Sequence, residues 1–188
     1  VTCDGNPYCL VDTNAGLVQL FSSDTEDVDP GTALSQDTAG VGGSAEDGDE
    51  FGTAVAWIAP GLGDSRTRLA VGVPKENTTG GVDAGTVQVF PTNNLASDVA
   101  WTQSSPGVPG GADAGDKFGA SLNTVAGAAE RVLLVGVPDD VDHASGMVNV
   151  IPFGGGAPRA WVPGSGGVPS AGAGRFGQSL GGVNGSSE

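Results

Sequence analysis

The sequence predicts an all-β fold assembled from four-stranded antiparallel units, and three observations predict it. A triplet of strand-like segments recurs in fixed order. Phe51-Gly52-Thr53-Ala54-Val55 leads to Leu69-Ala70-Val71-Gly72-Val73-Pro74 and then to Gly85-Thr86-Val87-Gln88-Val89-Phe90. The second copy is Phe118-Gly119-Ala120-Ser121-Leu122, then Val132-Leu133-Leu134-Val135-Gly136-Val137-Pro138, then Gly146-Met147-Val148-Asn149-Val150-Ile151. The apolar runs are short and β-branched, and no 3.6-residue stripe exceeds two turns, so almost no helix is expected. The 34 Gly and 12 Pro fall at repeated places between these runs, which reads as turns and not as disorder. Repetition at about sixty residues points to the blades of a β-propeller or a related β-array.

Taken in order, residues 1–15 are a short, polar, turn-rich segment containing Cys3 and Cys9. Residues 16–188 form the repeat region, beginning late in one unit (16–50) with the closing strand Gly16-Leu17-Val18-Gln19-Leu20-Phe21. Its apolar residues at 17, 18, 20 and 21 predict one core face and one partly covered face. Leu34-Ser35-Gln36-Asp37-Thr38-Ala39-Gly40-Val41 parallels Trp101-Thr102-Gln103-Ser104-Ser105-Pro106-Gly107-Val108, and Trp161 to Pro169 is a weaker third version. Each reads as an outer strand followed by a loop to the next unit. Two complete units follow, 51–117 and 118–175, offset by 67 and then 58 residues between successive Phe-Gly pairs, a difference that loops absorb cheaply. Residues 176–188 hold only the first strand of a further unit, Phe176-Gly177-Gln178-Ser179-Leu180. About three units' worth cannot close a ring that usually takes roughly four to eight. A longer protein, or a second chain completing the ring, is the leading expectation, with dimerisation through the end strands as the other.

The combined pattern F-G … (L/V)-x-V-G-x-P … G-x-V-x-V-(F/I) resembles the FG-GAP repeat of integrin α-type β-propellers. With the linker 101–109 and Gly115-Asp116-Lys117-Phe118-Gly119, it is most similar to secreted actinobacterial proteins of that type. The resemblance implies a propeller whose first and second strands can be joined by a calcium loop of the D-x-D-x-D-G kind. The corresponding segments here, 58–68 and 124–131, hold one carboxylate each (Asp64 and Glu130) and both contain Arg. A hard cation needs more oxygen ligands than that, so no metal is expected there.

Composition narrows the function classes. A net charge of −15 with 7 Lys and Arg leaves no basic patch for phosphates, which excludes nucleic acid and disfavours anionic membrane surfaces. No apolar run is long enough to span a bilayer. Cys3 and Cys9 read as a small disulfide loop formed in an oxidising compartment, and hence as a sign of secretion; two reduced thiols near a terminus are the alternative.

The densest acidic cluster is Asp139, Asp140 and Asp142 beside His143, the sole histidine. It is the candidate ligand-binding loop, and a weak metal candidate, with Glu76 and Asp83 in the matching loop of the first complete unit. A solvated loop tip is the competing reading. Gly63-Asp64-Ser65 begins like a serine-protease nucleophile loop, but Arg66 and Thr67 replace the needed glycines. No nucleophile elbow, P-loop or dinucleotide fingerprint occurs, so no catalytic residues are expected. Trp57, Trp101 and Trp161 suggest sheet packing first and sugar stacking second. The functional expectation is a secreted, non-catalytic segment that binds a protein partner or assembles a larger extracellular complex. A lectin-like module for cell-surface glycan, as the targeting part of a toxin or hydrolase, is the alternative.

Overall fold

The computed structural model describes residues 13–23, 27–61, 65–96, 98–126, 131–170 and 174–181. All regular structure among them is β, in antiparallel sheets. Strands β1 (Val18–Ser23) and β2 (Val28–Leu34) form a two-stranded sheet. Strands β3 (Ala54–Ile58), β4 (Arg68–Val73), β5 (Thr86–Pro91) and β6 (Val99–Trp101) form a four-stranded meander in sequential order. Strands β7 (Ser121–Ala126), β8 (Arg131–Val137), β9 (Met147–Phe153) and β10 (Arg159–Trp161) repeat it.

The registers of the two four-stranded sheets correspond, and the two-stranded sheet matches them up to the shift between Gln19 and Phe21. Gly72 faces Val87 as Gly136 faces Val148. Val18 faces Leu34, Val87 faces Trp101 and Val148 faces Trp161. The two-stranded sheet therefore corresponds to the third and fourth strands of the larger ones. Strands β4 and β8 are buried on both faces, which is why they read as continuous apolar runs without alternation. Leu133, Val135, Val137 and Ile151 pack against Ile58, Ala70, Val87 and Val89 between the two large sheets. Val18, Leu34 and Phe51 close over Leu69, Val71 and Phe90 on the other side. Each fully buried Val, Leu, Ile or Phe contributes about 1.5–3 kcal/mol.

The Phe-Gly pairs join one unit to the next. The backbone N–H of Phe51 donates to Ala15 O at 2.8 Å, that of Phe118 to Ala84 O at 3.0 Å and that of Phe176 to Ser145 O at 2.7 Å. Within a unit, Gly52 N–H donates to Gly72 O at 3.0 Å and Gly119 N–H to Gly136 O at 3.1 Å. Gly52, Gly119 and Gly177 hold φ of +90°, +94° and +86°, a conformation that costs a Cβ-bearing residue energy.

Three expectations need comment. Residues 124–126 lie in β7 and not in a connecting loop, because Thr124 to Ala126 pair with Leu133, Val132 and Arg131. The second face of β1 is less covered than expected: Leu17 and Phe21 are exposed, since no described sheet packs on that face as the preceding sheets do on Phe90 and Ile151. Cys3 and Cys9 fall outside the described residues. No described helix is long and apolar enough to cross a membrane.

Candidate functional site

The sheets place the connections 74–85 and 138–146 at one end, beside the Phe-Gly joins and the linkers 35–50 and 102–117. The predicted ligand-binding residues Glu76, Asp83, Asp139, Asp140, Asp142 and His143 all lie at this end. The residues preceding the first two Phe-Gly pairs, Glu50 and Lys117, adopt φ of +60° and +61° and present their charges to the residue after Gly-x-Pro. Lys75 Nζ lies 2.6 Å from Glu50 Oε1, and Lys117 Nζ lies 2.7 Å from Asp139 Oδ2. The polarity of the pair is reversed from one unit to the next. Asp139 also receives Arg175, the residue before the third Phe-Gly pair, through two bonds of 2.7 Å, a fork that fits a carboxylate. Partial burial pulls the Asp139 carboxyl upward, but the bonds and charges of Lys117 and Arg175 outweigh it and hold the group below the usual carboxylate range.

Asp140 is not at the surface. It is buried, accepting Gln103 Nε2 at 2.8 Å on one oxygen and the backbone N–H of His143 at 2.8 Å on the other. His143 Nδ1 lies 2.8 Å from that second oxygen. Glu76 is the equivalent in the first large sheet, and the Nε2 amide of Gln36 donates to it. Burial pushes the Glu76 carboxyl up, against the Gln36 bond. A further carboxyl, Asp116, accepts the N–H of Asp113 at 2.8 Å and of Val141 at 3.0 Å, and burial pushes it up as well. Asp139 and Asp140 thus tie the loop to the sheets, whereas Asp142 is solvent-exposed. Asp83 holds φ of +55°, takes a bond from its N–H to Asn77 Oδ1 at 3.1 Å, and accepts Lys117 N–H on its carbonyl at 3.1 Å. Lys117 thereby connects the two loops that hold the candidate residues.

Sequence reasoning missed the amides. Gln36 and Gln103 recur at one linker position, and Gln88 and Asn149 at one strand position. Gln88 Nε2 donates to Gly42 O at 2.6 Å and Asn149 Nδ2 to Pro109 O at 2.9 Å. These acceptors fix the amide orientations. All four side-chain oxygens are buried and accept nothing from the protein. The Gln36–Gln103 repetition stood in the aligned linkers, but the burial of these amides on Glu76 and Asp140 depends on the fold.

A cleft of ≈ 370 Å³ opens beside Glu76 and Gln88, edged by Thr78, Thr79, Thr86 and Thr102. At the opposite end, a cleft of ≈ 320 Å³ lies between Arg66, Arg68, Trp101 and Phe153, with the Arg68 guanidinium 5.4 Å from the Phe153 ring centre. Trp101 and Trp161 are half-buried against their sheets and Trp57 is exposed. For calcium, Asp64 and Glu130 lie outside the described residues, and Arg131 Nε donates to Pro60 O at 3.1 Å. A guanidinium at that place opposes a cation. Among the described residues no cluster of His, Cys, Asp or Glu is arranged to hold a metal ion. No protein-family model and no curated protein matches the chain.

Proposed function

We propose that the two four-stranded sheets are successive blades of an FG-GAP-like β-propeller, and that the chain is a secreted, non-catalytic segment whose loop end binds a protein partner. The observation that carries this reading is the threefold recurrence of one junction, in which each Phe N–H donates to a carbonyl just ahead of the third-strand position of the sheet before it, at Ala15, Ala84 or Ser145. A junction that repeats in one sense propagates units around an axis. Its loop tips differ in chemistry while the joins stay constant, as a recognition face on a fixed scaffold requires. Val82 and Val141 are exposed at these tips next to Asp83 and Asp142, a mixture of apolar and acidic groups that suits a protein surface. The cysteine pair 3 and 9 is read as a disulfide in keeping with secretion.

One observation favours a second reading, a glycan-binding module: the cleft at Glu76 and Gln88 is rich in hydroxyl and amide groups. Binding assays separate the two. The full chain is compared with a Val82→Ser/Val141→Ser/Asp142→Asn variant for capture of extracellular proteins and on a glycan array. Protein capture that the variant loses supports the leading reading. Glycan signal without protein capture replaces it with the second, and capture unchanged by the variant removes the loop end from the account.

A further inference from the structure

We propose that the edge of β1 that pairs with no described strand and the face of β3 carrying Val55 and Trp57 form one docking site, filled by a β-hairpin of the same Phe-Gly … Gly-x-Pro pattern as residues 51–74 and 118–138. The proposal rests on the reading of the sheets as successive repeat units and names what pairs with the two-stranded sheet.

Two separate exposures lead to one occupant. In the large sheets the edge equivalent to β1's is paired: β4 lies against β5 and β8 against β9. No described strand takes that place beside β1, which pairs on its other edge with β2. On β3, Val55 and Trp57 are 51% and 53% exposed, whereas Leu122, the counterpart of Val55, is 8% exposed. Leu122 is covered by the preceding sheet, through Ile58 and Ala70 of its first and second strands. The strands that would cover Val55 and Trp57 are therefore the first and second strands of the two-stranded unit. The strand that would pair with β1 is the second of the same two.

The repeat also states what the hairpin must contain. Its second strand runs antiparallel to β1 with a glycine opposite Val18, as Gly72 faces Val87 and Gly136 faces Val148. That glycine lies against Gly52. A methyl carbon at Gly72 would sit 2.1 Å from Gly119 O, and one at Gly136 would sit 1.9 Å from Gly177 O, so no side chain fits there. An unpaired strand edge is satisfied by another strand, which sets a hairpin apart from a helix or a sugar.

The probe is a synthetic peptide with the sequence of residues 115–140, which contains no Trp, added to the full chain carrying Trp101→Phe and Trp161→Phe. Trp57 is then the sole reporter. Saturable one-to-one binding is expected, with a blue shift of Trp57 emission and β1 amide exchange slowed about tenfold or more. The same peptide with Gly136→Val should do neither. Fusing the peptide sequence ahead of Val1 through a Gly-Ser linker provides a second format in which self-association of the free peptide does not compete. No response in either format while β4–β5 and β8–β9 amides stay slow overturns the docking site and leaves the repeat reading intact. Fast exchange across all sheets overturns both. Equal binding of the Gly136→Val peptide, or a free chain that sediments as a dimer with Trp57 already buried, overturns the proposed occupant.

Discussion

At Gly72 and Gly136 an added carbon would meet the backbone carbonyls of Gly119 and Gly177, which cannot swing aside as a flexible side chain would. Gly136→Ala is therefore expected to destabilise by about 1–3 kcal/mol or more through overpacking. Gly181→Ala, facing open space, should stay within about 0.5 kcal/mol in urea denaturation. Equal costs would remove the close approach from the account. The buried and paired carboxyls predict opposite pH behaviour. Asp116 is pushed up by burial, although its bonds to Asp113 and Val141 oppose the shift. Its contribution is present below the ordinary carboxylate value and is lost as pH rises through its raised one. Asp139 is held low by Lys117 and Arg175 despite its burial, so its contribution is present above the ordinary value and is lost as pH falls through its depressed one. Stability measured across the acid range should show wild type losing ground to Asp116→Asn with rising pH, and to Asp139→Asn with falling pH. Parallel profiles would refute both assignments.

Strands β4, β5, β8 and β9 are paired on both edges and largely buried, whereas among the described strands β1 pairs only with β2. Pro30 in β2 has no N–H to give the ladder, and the register slips between Gln19 and Phe21 opposite it. Hydrogen exchange should therefore rank β8 and β9 with β4 and β5 as slowest, and β1 and β2 as fastest among the longer strands. The inner-strand amides exchanging as fast as those of β1 would contradict the packing. The apolar runs at 69–73 and 132–137 were legible as strands because burial on both faces removes alternation. The extension of β7 through Ala126 was not legible, because it depends on the register with β8 that tertiary packing selects.

A chain of net charge −15 repels itself, and any added salt should raise its melting temperature by screening. A specific calcium site would add to that. With Arg131 bonded to Pro60 O and no metal-holding cluster among the described residues, calcium and magnesium chlorides at equal ionic strength should shift the melting temperature equally, and chelation should not lower it. A larger shift with calcium would reveal oxygen ligands outside those described.

The sequence by itself determined the all-β class, the order of the strand segments and the positions of the joining glycines, because these depend on local periodicity and on φ that only glycine adopts freely. It also marked Asp139, Asp140, Asp142 and His143 as a cluster, but not their division of labour. Only the tertiary structure decided that Asp140 is buried on Gln103, that Asp139 is clamped between Lys117 and Arg175, and that Asp142 faces solvent. The physical reason is sequence separation. Those partners lie 37, 22 and 36 residues away, and only the stacking of one sheet on the next brings them within reach.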